Sequence, residues 1–258
     1  MMGLVPAENV TAPRTLRQRL GRAWRAFRGD KHVDLLPRNN DGFDPQATPS
    51  EVTRLFHRLR RITGWFTIDD CAHFHVILQM QNRTGVDGDL LEIGSYYGRS
   101  TGAMFGHLKP GEKLIVCDAF DTIPTTDSYS SVPTVKEFLR NIADAHPGAD
   151  LSRIEVHECL SSALTLPSSC TLRFAHVDGG HSRDEALQDL ELVYARLSHS
   201  GVIAVDDFEN PGWPEVKQGV SDFLSRHADM QVLADLNRFG EAGRKVYLIR
   251  TGGRDAVV

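Results

Sequence analysis

Four short stretches of this chain concentrate the residue types that hold ligands or move protons. The first is Leu91-Glu92-Ile93-Gly94-Ser95-Tyr96-Tyr97-Gly98-Arg99-Ser100-Thr101, an acidic residue followed by a glycine turn and a helix start. Such a turn lets a ligand approach the backbone, and the free N–H groups of a helix start attract an anion. Gly94 and Gly98 do not have the G-x-G-x-x-G spacing of a dinucleotide site, and the bulky Ser-Tyr-Tyr between them would obstruct a pyrophosphate. A cofactor ending in a carboxylate and an ammonium fits better, with Glu92 near the cation. The second stretch ends at Asp118, 26 residues after Glu92, where an acid after the second strand can bind both ribose hydroxyls. The alternative is an ordinary strand-to-helix turn with no ligand.

The third and fourth stretches are Val177-Asp178-Gly179-Gly180-His181 and Val205-Asp206-Asp207. Carboxylates crowded at neighbouring strand tips repel one another unless a cation neutralises them. Oxygen ligands of this kind suit Mg²⁺, Mn²⁺ or Ca²⁺ rather than zinc. The competing reading makes Asp178 a helix cap and Asp206-Asp207 loop caps. His181 shares its loop with Asp178, and a neutral imidazole with a pKa near ~6.5 can take a proton from a metal-acidified hydroxyl. His73, His75 and His176 read as structural or solvent-exposed.

The elements that must position these residues alternate along the chain. Apolar runs at Leu90–Ile93, Lys113–Cys117, Ile154–Val156, Leu172–Val177 and Val202–Val205 are separated by helical patterns near Ser100–Leu108, Thr134–Ala145, Ser161–Leu164 and Arg183–Leu197. This order predicts an α/β fold, a doubly wound, mostly parallel sheet built from right-handed crossovers. A helix over Pro214–Arg226 and two more runs, Met230–Leu236 and Lys245–Ile249, predict an antiparallel hairpin closing the sheet edge. Two helices precede the first strand, at Pro49–Ile62 with Ser50 as N-cap and at Thr67–Arg83.

Composition bounds the rest. With 258 residues, 41% hydrophobic and 24% charged, the chain can bury a sizeable core, and no apolar run is long enough to span a bilayer. Four widely spaced cysteines form no CxxC pair, which favours a reducing, cytoplasmic setting. The net charge of −5 argues against nucleic acid as a partner, but residues 1–32 hold seven Lys or Arg against two acids. There Leu16, Leu20, Trp24 and Phe27 recur at helical spacing. This basic amphipathic helix could dock on the body or on a second subunit of a homo-oligomer, contact a membrane surface, or remain an arm. Residues 1–64 are expected to form a helical extension and 65–258 the main domain.

The combination of Leu91-Glu92-Ile93-Gly94, Asp118, Asp178-Gly179-Gly180-His181 and Asp206-Asp207 resembles the class I S-adenosylmethionine-dependent methyltransferases. Within them it resembles the macrocin O-methyltransferase-like group, metal-dependent enzymes acting on sugars of natural products. The resemblance implies a seven-stranded Rossmann-like sheet with a reversed last strand. It implies that Glu92, Gly94, Ser95, Tyr96 and Ser100 line the methionine end, Asp118 holds the ribose and Ser161 lies near the adenine. It also implies that Asp178, Asp206 and Asp207 hold a divalent cation such as Mg²⁺, and that His181 is the base for a small-molecule hydroxyl acceptor, a sugar or glycoside. The Asp206-Asp207 pair and the histidine depart from the Asp-Asn pair and lysine base of catechol-type relatives. A metal-dependent hydroxylase or hydrolase on the same scaffold, a catechol-type enzyme and a non-catalytic binding module are the competing expectations. The stretch Asp121–Pro133 reads as a lid or as a plain surface loop.

Overall fold

A computed structural model describes residues 50–122, 131–238 and 242–252. The basic N-terminal helix and most of the Asp121–Pro133 stretch lie outside them. Seven strands form one sheet: β1 (Asp89–Ile93), β2 (Leu114–Asp118), β3 (Ile154–Glu158), β4 (Leu172–Val177), β5 (Leu197–Phe208), β6 (Met230–Asn237) and β7 (Arg244–Arg250). Their spatial order is β3-β2-β1-β4-β5-β7-β6, with β7 antiparallel to both neighbours. The order reverses between β1 and β4, which opens a crevice at the carboxyl ends of those strands. The described helices are α1 (Glu51–Leu59), α2 (Ile68–Thr84), α3 (Arg99–Phe105), α4 (Val135–Ala145), α5 (Arg183–Tyr194) and α6 (Pro214–Arg226). The predicted helix after β3 is a single 3₁₀ turn, Ser161–Ala163.

Local chemistry sets the helix starts. Thr67, Thr134 and Ser182 each form a reciprocal capping box with an acid three residues on, and Pro214 opens α6 at a position that needs no N–H donor. The central strands are apolar on both sides because both faces are covered. Leu90, Leu114, Val116, Phe174 and Tyr247 pack against α1 to α4, while Leu91, Ile93, Ile115, Ala175 and Val205 pack against α5 and α6. Residues on either side of the 64/65 division, Ile62 and Phe66, lie in the same core cluster.

One polar group at the amino end of the sheet is entirely internal. Arg173, at the start of β4, grips the Glu112 carboxylate through Nε at 2.8 Å and Nη2 at 2.9 Å. It also donates to the His107 carbonyl and to Gln81 Oε1, and Gln81 returns a bond to the Arg173 carbonyl. A register shift between Leu172 and Phe174 accompanies this reach toward α2.

Candidate active site

The carboxyl ends of β1, β2, β4 and β5 surround a cleft of about 740 Å³. Gly94 closes its floor. A Cβ at this position (φ +79°) would stand 1.9 Å from the Asp178 carbonyl oxygen, so only glycine lets the β1 turn lie against the tip of β4. Next in the chain, Tyr96 holds a left-handed backbone (φ 49°), unusual for a bulky residue. Asp118 explains how that turn is held. Its Oδ2 accepts the backbone N–H groups of Ser95 (2.7 Å) and Tyr96 (2.8 Å) and the Ser95 hydroxyl, and its Oδ1 accepts the N–H of Phe120. The carboxylate braces the loop while still facing the cleft.

The cleft gathers most of the residues singled out from the sequence: Gly94, Tyr96, Asp118, Ser161, Asp178, His181, Asp206 and Asp207 all line it. Glu92, Ser95 and Ser100 do not; they are buried behind it. The expectation for Glu92 is therefore revised. Ile93 and Leu91 face α5 and α6, so Glu92 faces the opposite helices, where Thr101 bonds one oxygen and His176 Nδ1 lies 2.9 Å from the other. Neither oxygen is left at the cleft for a cofactor's ammonium. His176 is buried and bonded on both ring nitrogens, the structural role expected of it, since Lys245 Nζ lies 2.8 Å from Nε2.

The acidic tips carry counter-charges that the sequence reading did not foresee. Lys245, fully buried on β7, places its ammonium 2.5 Å from Asp206 Oδ2. Arg238, after β6, reaches Asp206 Oδ1 at 2.6 Å and lies 3.5 Å from Asp70. Burial works against the Asp206 carboxylate, but Lys245 and Arg238 outweigh it and hold the group well below the usual carboxylate range. Asp178 goes the other way: burial, then the Asp206 charge, push it up to about 8. The crowding argument for an added cation is thus answered in part by the protein itself.

Asp207 and His181 form the other half of the site. His181 Nε2 stands 3.0 Å from Asp207 Oδ2, and the ring stacks on Trp213 with centroids 4.4 Å apart and planes 15° from parallel. Asp207 has a left-handed backbone (φ 53°), which turns its side chain out of the strand direction. At the other end of the cleft Trp65 packs on Tyr96, ring centroids 5.4 Å apart. Trp65 and Trp213, both solvent-exposed cleft walls, carried no sequence signal beyond their residue type.

The ligand atoms of Asp178, His181 and Asp207 lie within 4.8 Å of one another, as do those of His176, Asp178 and Asp206. The first set opens to the cleft, and its oxygen-rich chemistry fits a hard divalent cation. In the second, Lys245 occupies both His176 Nε2 and Asp206 Oδ2.

Residues 91–208, which hold most of this cleft but not Trp65, Trp213 or Arg238, match the family model of a methyltransferase domain. The match covers 118 of the 258 residues and is to a methyltransferase domain. An uncharacterized protein of Acanthamoeba polyphaga mimivirus is 28% identical over 163 residues, 62% of this chain and 68% of that protein. Among solved structures, the O-methyltransferase NovP superposes with a TM-score of 0.56 at 19% identity, covering 73% of this chain and 82% of NovP. The O-methyltransferase TomG of Streptomyces achromogenes, solved with S-adenosylmethionine, gives 0.52 at 16% identity, covering 81% and 93%. At these identities the likeness establishes the methyltransferase fold. None of the described helices is long and apolar enough to cross a membrane.

Proposed function

We propose that this domain moves the methyl group of S-adenosylmethionine to a hydroxyl of a sugar or glycosylated natural product, assisted by a divalent cation, Mg²⁺ by preference. The observation that carries the reading is the His181–Asp207 pair, standing beside Asp178 in the cleft that the Gly94 turn and Asp118 also line. The likeness of the fold to NovP and TomG supports oxygen as the methylated atom.

Bound S-adenosylmethionine supplies a methyl group on a cationic sulfur, so the protein must align and deprotonate the acceptor. Asp118 Oδ1 accepts a single loop N–H, from Phe120, and is the oxygen with room for a ribose hydroxyl. Gly94 and Tyr96 border the methionine end, the buried Ser95 and Ser100 support the turn and helix start behind them, and Ser161 lies toward the base. Asp178 and Asp207 would hold the cation, joined by Asp206 where Lys245 gives way, and the ion would lower the pKa of a neighbouring hydroxyl. His181, whose Nε2 stands 3.0 Å from Asp207 Oδ2, is the base that accepts the acceptor's proton. Asp207 then stabilises the imidazolium, and the Trp213 stack fixes the ring plane.

The test begins with calorimetry of S-adenosylmethionine, S-adenosylhomocysteine and NAD. A panel of glycosides and nucleotide sugars with Mg²⁺ follows, with S-adenosylhomocysteine release read by mass spectrometry. Full methyl transfer by both Asp178→Ala and His181→Ala would sink the metal-plus-base mechanism, and binding of NAD alone would sink the cofactor.

A further inference from the structure

The buried ammonium of Lys245 has no role in the mechanism above, yet it stands at the one carboxylate a metal would have to share. It is fully buried, 2.5 Å from Asp206 Oδ2 and 2.8 Å from His176 Nε2, with the Phe74 and Phe66 rings 5.5 and 5.9 Å from its nitrogen. An ammonium has donors only, so it cannot bond Asp206 and leave the same lone pair to a metal. The other Asp206 oxygen accepts Arg238 at 2.6 Å and the Asp207 N–H at 2.7 Å.

We propose that Lys245 is a resident counter-cation that competes with the divalent ion for Asp206 and so sets the metal affinity of the site. This rests on the metal-dependent reading. With Lys245 in place, an incoming ion meets Asp178 and an Asp207 that also faces Asn210 Nδ2 (2.7 Å) and His181 Nε2 (3.0 Å), and must displace the ammonium to gain Asp206. The exchange costs affinity twice, through the lost ligand and through repulsion between the ion and the buried positive charge. It also lets the carboxylate cluster remain folded before any ion arrives. A site built this way binds its metal weakly and exchanges it readily.

The proposal predicts a gain of binding, which damage to the fold cannot imitate. Mn²⁺ and Mg²⁺ are titrated calorimetrically into the full chain without other ligands, for wild type, Lys245→Met, Lys245→Arg and Lys245→Met combined with Asp178→Asn. Lys245→Met should bind Mn²⁺ at least tenfold more tightly than wild type, and the gain should vanish in the double variant. Lys245→Arg should restore wild-type affinity. Mn²⁺ should also raise the melting temperature of Lys245→Met more than that of wild type. Should Lys245→Met fail to fold, Lys245→Gln also drops the charge while leaving a shorter polar side chain, and it should show the same tightening. Equal or weaker Mn²⁺ binding by the charge-removed variant overturns the proposal. If that equal binding is abolished by Asp178→Asn, the metal site stands and only the role of Lys245 fails. If no variant binds either ion, the metal-dependent reading fails with it.

Discussion

Two buried ionic networks lie on the same face of the sheet, one at each end. At the amino end, Arg173 meets Glu112 with two parallel bonds and spends its other donors on Gln81 and a carbonyl. At the carboxyl end, the chain Thr101–Glu92–His176–Lys245–Asp206–Arg238–Asp70 runs from under the glycine turn into the cleft. The first network is closed, charge for charge. The second carries excess acid, continues into Asp178 and Asp207, and leaves Asp70 Oδ1 and the Tyr247 hydroxyl without a hydrogen bond among the described residues. The difference teaches where the fold has been shaped for packing and where it holds charge in readiness for a ligand.

The comparison can be broken most decisively at His181. His181→Ala should lower methyl transfer by about 10²- to 10⁴-fold, the usual range for a lost general base, with little change in the unfolding midpoint. An equal loss of stability would place His181 with the packing residues. At the opposite end, Arg173→Met should reduce stability by about 3–5 kcal/mol in denaturant titrations, because it strands a buried carboxylate. The folded fraction should keep its metal affinity, and altered Mn²⁺ binding would show that the two networks are not independent.

Asp189 sharpens the contrast from a third position. Both of its oxygens are buried without a partner at hydrogen-bond geometry, and burial pushes its carboxyl up to about 6, the nearby Ser161 hydroxyl lowering it and the Glu185 charge raising it by less. Its folded pKa lies above its unfolded value near 3.8, so this group removes stability as pH rises from about 4 to 6. Asp189→Asn should abolish that decline and add up to about 3 kcal/mol at pH 7, read from urea titrations across pH. A variant no more stable than wild type at pH 7 would show that this carboxylate is paid for elsewhere. The smallest effect belongs to Trp213→Leu, which leaves His181 and Asp207 in place but removes the stack. A drop of roughly tenfold in kcat with KM unchanged fits a ring-orienting role, whereas a rise in KM alone would make Trp213 an acceptor-binding surface.

Much of the fold could be read from the sequence because its signals are local. The apolar runs mark all seven strands, Ser50, Thr67 and Pro214 mark helix starts, and the turn after Leu236 marks the hairpin. The tips of the strands were legible for the same reason: Asp118, Asp178 and Asp206-Asp207 each end an apolar run. What escaped depends on pairing at long range. Glu92 and His176 are neighbours only through the β1–β4 register, 84 residues apart in the chain. Lys245 and Arg238 come from the C-terminal hairpin, 39 and 32 residues beyond Asp206, the first opening a run and the second in the turn before it. The left-handed backbones of Tyr96 and Asp207 have no signature in residue type, since neither is glycine.

The reversed direction of β7 has a consequence for how the molecule is made. Because β7 runs against β5, its first residues, not its last, arrive at the end of the sheet where Asp206 sits. Lys245 is therefore delivered by the return limb of the hairpin, after every acid of the cluster has left the ribosome. Until that limb docks, Asp206 has water in place of the ammonium. Completion of the acidic cluster thus waits on the docking of the hairpin, and a chain cut short before it would possess its acids without the charge that lets them be buried.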